Sequence, residues 1–161
     1  QLVPWGNTWP RNVWLGTTAE YQHWADERIP VLLEQGAAIH FTSCEPLLGP
    51  IDLSPWLGAP TERNTTLNWV IAGGESGGKA RPMNPAWAAD LRDQCVDADV
   101  PFHFKQWGHW GPTQLRQKPN VETVTLRDVR GRSFELAKLG KHATGRTLDG
   151  ITWDGFPAVA V

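Results

Sequence analysis

The sequence predicts an α/β fold, a partial TIM-type barrel of about four parallel strands carried on βα units. Two observations lead there. Short apolar, β-branched or aromatic runs alternate with helical patterns in the order strand, helix, strand, loop, strand, helix, strand, which is the signature of right-handed parallel crossovers. Each of these strands also ends at a charged side chain, Glu20, Glu45 and Glu75 lying past the first three and Lys105 closing the fourth, with successive spacings of 25, 30 and 30 residues. That is about one βα unit each, so the fold would gather them on one rim.

The opening VPWGNTWPRN is rich in Pro, Gly and Asn and leads into a strand over Asn12–Thr17. Thr18 can cap a helix from about Ala19 to Arg28, with Tyr21, Trp24 and Ala25 on one face. Pro30 interrupts that helix or starts a new turn, and Gly36 closes the helical region. The next strand, Ala38–Ser43, stops at Cys44-Glu45-Pro46. The Pro/Gly-rich segment after it is long for a plain connection, so a short helical turn or a functional loop is expected within it.

The third strand opens NWVIAGGESGGKARP, in which the run Trp69–Ala72 breaks into glycines flanking Glu75. Backbone of this kind can approach a ligand closely. Gly73, Gly78 and Lys79 nearly satisfy a phosphate-loop pattern. The pattern fails at Ala80, where a magnesium-binding hydroxyl belongs, and at Pro82, where a helix should already be running. A helix then runs from Pro85 to about Ala98, with Trp87, Leu91 and Cys95 every four residues along its buried face. The strand PFHFKQ follows, ending at Trp107-Gly108.

Residues 1–112 therefore form the half-barrel, and residues 113–161 a mildly basic extension packed on it. The first part holds 7 basic and 12 acidic side chains and the second 8 and 5, within a net charge of −2. A basic segment of this size is a solvated surface or a nucleic-acid contact. VETVTLRDVRGRSFEL alternates as a hairpin would, and LDGITWDGFP is an irregular end anchored by Trp153 and Phe156.

Of the 10 tryptophans, Trp14, Trp69 and Trp87 lie within apolar patterns and are expected to be buried. No apolar run reaches the roughly 18 to 20 residues of a membrane span and no secretory signal opens the chain, so a cytoplasmic protein without membrane partners is expected. Cys44 and Cys95 are too few and too far apart for a metal or cluster ligand set, and read as buried thiols. His40 and His103 fall inside strand patterns and read as core or barrel-lining side chains.

Three carboxylates and an ammonium at one mouth could bind an amine, hold a metal, or serve as acid and base. Each one alone is as readily a capping or loop-bracing group. Four at successive strand ends favour a binding site.

Together, NVWLGTTAEYQHWADERIPVLL, FTSCEPLLGPIDL, NWVIAGGESGGKARPM and PFHFKQWG resemble the three-cysteine-motif phage proteins, a phage and bacterial family similar to radical S-adenosylmethionine enzymes. The resemblance covers about Asn12 to Gly108, with a weaker match over GRTLDGITWDGFP. It implies a partial or full TIM-type barrel whose other, amino-terminal half carries a cysteine cluster for a 4Fe-4S centre that cleaves S-adenosylmethionine. Nothing in this chain corresponds to that half, so the chain alone is expected to hold no cofactor and perform no radical chemistry. Its partner would be the cysteine-bearing half or a second copy, and the opening QLVPWGNTW, without a methionine, fits a piece of a longer polypeptide. By position, the resemblance places Glu20, Glu45, Glu75, Ser76, Arg81 and Lys105 among the ligand-binding polar residues of the mouth. The sequence departs from the pattern at Tyr21, where Asn is usual, and at Gly78-Lys79, where Pro-Gly is usual. Whether the chain contributes to an enzyme or is a non-catalytic binding module that acts on a host protein or nucleic acid stays open at this level.

Overall fold

The computed structural model describes residues 9–59 and 65–158. Four strands, β1 (Trp14–Thr18), β2 (Ile39–Cys44), β3 (Trp69–Gly73) and β4 (Phe102–Gln106), form one parallel sheet in the order β1-β2-β3-β4. Helix α1 (Gln22–Leu33) connects β1 to β2, and α2 (Pro85–Asp97) connects β3 to β4. The chain is thus α/β with a four-stranded parallel sheet in sequential order, as the alternation predicts.

Both helices cover the same face of that sheet. Ala25, Ile29 and Leu32 of α1 and Ala88, Leu91 and Cys95 of α2 share one core with Cys44, Val70, Ala72, Phe102 and Phe104 from the strands. Alternation along β2 points His40, Thr42 and Cys44 into this core while Ile39, Phe41 and Ser43 face the other way. The expected segment between β2 and β3 carries a 3₁₀ turn at Ser54–Trp56, and Leu47, Ile51 and Leu53 from it fill the same core.

Helix α1 starts and ends later than the sequence suggests. Its N-cap is Tyr21 rather than Thr18, with no side-chain cap, and Pro30 sits inside it. Thr18 remains in β1, where its hydroxyl accepts from Arg28. Pro30 does not stop the helix, whose backbone carries on to Leu33 before Glu34 caps it. By contrast α2 follows its signals: Asn84 accepts from the amide of Ala86 at 3.0 Å and Pro85 occupies the first turn.

The face without helices is aromatic at the amino-terminal end of the strands. Trp69 contacts Trp14, Phe41, His103 and Phe156, with ring centroids 4.3 to 6.0 Å apart. Phe41 lies over Gly16, where an added Cβ would stand 2.3 Å from its ring. Of the tryptophans expected inside, Trp69 is buried, whereas Trp14 and Trp87 are half-buried.

The two edges of the sheet differ. Beside β4 the carboxyl-terminal segment runs antiparallel, Phe104 N–H donating to Trp153 O at 3.0 Å and Gly155 N–H to Phe102 O at 2.9 Å. The outer edge of β1 has no strand partner among the described residues.

A second sheet, antiparallel and ordered β5-β7-β6, joins β5 (Trp110–Pro112), β6 (Thr123–Arg127) and β7 (Ser133–Lys138). Its first strand lies before residue 113, so the extension's sheet begins within the segment assigned to the half-barrel. The alternating VETVTLRDVRGRSFEL is the β6–β7 hairpin. A one-turn helix α3 (Lys141–Thr144) follows, and the end expected to be irregular contains a small hairpin, β8 (Thr147–Leu148) and β9 (Ile151–Thr152). Trp153 and Phe156 act as anchors, on Phe102 and Trp69 respectively. Among the described residues no helix is long and apolar enough to cross a membrane.

Candidate functional site

Parallel strands with both helices between them leave the carboxyl ends of all four at one side, and residues at and just beyond those ends build the rim. The segment after β2 crosses it: Leu47 N–H donates to Gly73 O at 2.9 Å and Leu48 N–H to Glu20 O at 3.0 Å. Leu47 is fully buried. The Glu45–Pro46 peptide is cis. These bonds fix Glu45 between the ends of β1 and β3.

Glu45 links the ends of two strands. Its Oε2 accepts from Ser43 Oγ at 3.1 Å and from Lys105 Nζ at 3.0 Å. Its Oε1 lies above Gly73, where an added Cβ would stand 2.4 Å away. The pair therefore joins the ends of β2 and β4 across β3.

Glu75 is held differently. Arg81 grips it with Nε at 2.8 Å from Oε2 and Nη2 at 2.9 Å from Oε1, while the Arg81 amide also donates to Oε2 at 2.8 Å. These hydrogen bonds hold the Glu75 pKa at about 2, far below its ordinary 4.5. A carboxylate this acidic cannot act as a proton-transfer group near neutrality; it is a fixed anion.

The loop carrying Glu75 is locked to the turn after β4. An added Cβ on Gly74 would stand 1.9 Å from Trp107 O, and one on Gly108 2.1 Å from Glu75 O. Glu75 O accepts from the His109 amide at 2.9 Å, and His109 Nδ1 accepts from the Gly77 amide at 2.8 Å. Nδ1 is thus the unprotonated ring nitrogen. Ser76 Oγ accepts from Gln106 Nε2 at 3.0 Å.

Glu20 lies at the same end but turns to α1, its Oε2 accepting from Arg28 Nη1 at 3.2 Å. The six predicted residues thus fall into an assembled group, Glu45 with Lys105; a bidentate pair, Glu75 with Arg81; an exposed Ser76 on Gln106; and Glu20 engaged by Arg28. Sequence reasoning found both members of the first two pairs without pairing them. It missed Ser43, Arg28, Gln106 and His109. Ser43 could have been read from its place two residues before Glu45, on the same side of an extended strand, whereas Arg28 and His109 arrive through tertiary packing.

The two cations of the rim, Arg81 and Lys105, are more than half exposed. A cavity of ≈ 400 Å³ lies at the other end of the sheet, lined by Ile39, Asn68, Val100 and Pro101 among others. Another, of ≈ 380 Å³, runs along the free edge between Leu15, Thr17, Val31 and Gln35. Neither contains a rim carboxylate, so the assignment of the site rests on its polar groups. Neither His40 nor His103 is hydrogen-bonded to a rim side chain among the described residues. His40 is core, its Nε2 donating to Gln35 O at 2.9 Å, and His103 faces the aromatic side. Burial lowers the pKa of both.

Compared with known proteins, residues 1–157 match a family described as "Protein of unknown function (DUF5131)". No curated protein and no solved structure matches.

Proposed function

We propose, for a chain that belongs to the DUF5131 family, that it is the carboxyl-terminal half of a phage-type, radical S-adenosylmethionine-like barrel, supplying the rim that holds a ligand. The observation that carries this reading is Lys105 reaching Glu45 across β3 at 3.0 Å. With Glu75–Arg81 one loop away, the rim presents two carboxylate–cation pairs, each exchangeable for one end of a zwitterion. An α-amino acid moiety, such as the methionine end of S-adenosylmethionine, offers an ammonium to a carboxylate and a carboxylate to Arg81 or Lys105. The residues present fit that group by charge and hydrogen-bonding type.

They do not fit an iron–sulfur cluster. Cys44 and Cys95 are both buried in the helix-covered core, where desolvation pushes their thiols up, Cys95 to about 12. A cluster would have to come from a cysteine-bearing half, and the free edge of β1 is the side on which further strands can pair, since the carboxyl-terminal segment covers β4. This reading places the protein in the cytoplasm, as a half-barrel active only with its complement.

A second reading is favoured by the internal pairing of the rim charges. Glu20, Glu45 and Glu75 each already have a cation, as loop-bracing groups would. The protein would then be a non-catalytic module whose β1 edge pairs with another chain. Calorimetry with S-adenosylmethionine, on the chain alone and with a cysteine-bearing half, separates the two. Binding that is lost in Glu75→Gln supports the rim; absence of binding in both formats leaves the interaction module.

A further inference from the structure

The loop after β3 leaves the sheet yet stays bonded, residue by residue, to the segment after β4. Gly74 N–H donates to Gln106 O at 2.9 Å, the His109 amide to Glu75 O at 2.9 Å, Gln106 Nε2 to Ser76 Oγ at 3.0 Å and the Gly77 amide to His109 Nδ1 at 2.8 Å. Beyond them Trp110 Nε1 donates to Ala80 O at 2.7 Å. His109 enters this series twice. Its main chain fixes Glu75 and its ring fixes Gly77, so a single residue clamps the turn that carries Glu75 and Ser76 from both ends.

The bond to the ring is the one in this series that a proton can break. A neutral imidazole accepts through Nδ1, whereas an imidazolium carries N–H on both nitrogens and would face the Gly77 amide donor to donor. Histidine side chains make this change between about pH 5 and 8. Gly77 has little else to keep it in place. At φ 112° it adopts backbone that favours glycine, and a Cβ there would meet nothing within 4 Å, so hydrogen bonding and not packing positions it.

Several charged groups lie on the elements against His109. They are Glu75, Lys79 and Arg81 on the loop, Lys105 at the end of β4, and Lys138, Lys141 and His142 about the Leu139–Gly140 turn, whose amides donate to His109 O. Glu75 is taken by Arg81, Lys105 by Glu45 and Lys138 by Glu122. Among the described residues the ring is bonded to the Gly77 amide and to none of these groups.

We propose that His109 is the positioning residue of the Glu75 loop: its neutral ring sets the loop through Gly77, and a second proton on that ring releases the loop and weakens the hold of the rim on its ligand. The effect on the ligand rests on the rim being a binding site, as proposed above; the effect on the loop does not.

The test pairs nitrogen-15 NMR of the full chain, following the Gly77 amide from about pH 7.5 to 5.5, with calorimetry of S-adenosylmethionine binding at both ends of that range. In the wild type the amide should shift with the midpoint of the His109 ring, and affinity should fall about threefold, the order of one hydrogen bond between neutral groups. His109→Asn offers Oδ1 as an acceptor that does not titrate. It should keep the wild-type affinity at the upper pH and abolish both the amide shift and the threefold fall, any titration of the ligand itself being common to the two proteins. His109→Phe has no acceptor and should bind weakly at both pH values, while His142→Asn should behave as the wild type. A Gly77 amide that does not move as the ring titrates overturns the proposal, as does His109→Asn with the wild-type pH dependence. A wild-type chain that does not bind S-adenosylmethionine at either pH overturns the binding role of the rim and the effect on the ligand with it, and the amide titration then decides the loop alone.

Discussion

Lys105 Nζ stands 3.0 Å from Glu45 Oε2 although 60 residues separate them, the ends of β4 and β2 meeting over the glycine that ends β3. Lys105 is more than half exposed, so water screens the pair and its contribution to stability is at most about 1 kcal/mol. Lys105→Met should therefore shift the denaturation midpoint little. The same variant should weaken S-adenosylmethionine binding at least about tenfold, the order of one lost charge-assisted bond. Equal losses in stability and binding would make the pair a structural brace.

Gly73 and Gly74 should differ sharply when each is replaced by alanine. At Gly73 the first atom met is the flexible end of Glu45, so Gly73→Ala should push the carboxylate off Lys105 and cost about 1 kcal/mol. At Gly74 the obstacle is the Trp107 carbonyl, which cannot rotate away. Gly74→Ala should cost about 3 kcal/mol. Urea denaturation of both variants measures the contrast.

Arg81→Gln should return the Glu75 carboxyl from about 2 toward its ordinary 4.5, which carbon-detected NMR titration of the side chain would show. Since the folded pKa is depressed, the pair's contribution to stability is complete above pH 4.5 and fades as pH falls toward 2. Wild-type protein should lose stability across that window more steeply than the variant. Because both side chains reach solvent, the difference should shrink in high salt.

His40 has the same sign at a higher pH. It is 2% exposed, and desolvation lowers its pKa below 6.5 despite the opposing bond to Gln35 O. The neutral ring is thus the folded form. Stability is complete above pH 6.5 and declines as pH falls through the folded value, with His103 adding in the same direction. Melting temperatures at pH 7.5 and 5.5 should show the decline, and His40→Gln should reduce it.

Much of the parallel sheet was legible because its signals are local. WVIAG and PFHFKQ are bounded by glycine or proline and are too short for helices, and Asn84-Pro85 marks the start of α2. Helix α1 was misplaced at both ends because tertiary contacts overrode its local signals: Thr18 is held in β1 by pairing with Ser43, and Pro30 is carried within a helix whose Ile29 and Leu32 are buried. At the rim, spacing located Glu45, Glu75 and Lys105 by strand ends. It could not show which cation each carboxylate would meet, since Arg81 returns to Glu75 through a loop and Lys105 meets Glu45 through the sheet. The small hairpin of β8 and β9 was missed because two-residue strands carry no periodicity.

Gly74 and Gly108 each leave room for the other's neighbouring carbonyl, so the loop bearing Glu75 and the turn bearing His109 fit only as a matched set. Transplanting one of them from a relative would fail unless the other travelled with it. Engineering of this rim therefore has a natural unit of exchange, the two segments 73–81 and 107–110 together, and a library that varies either alone would sample mostly misfits.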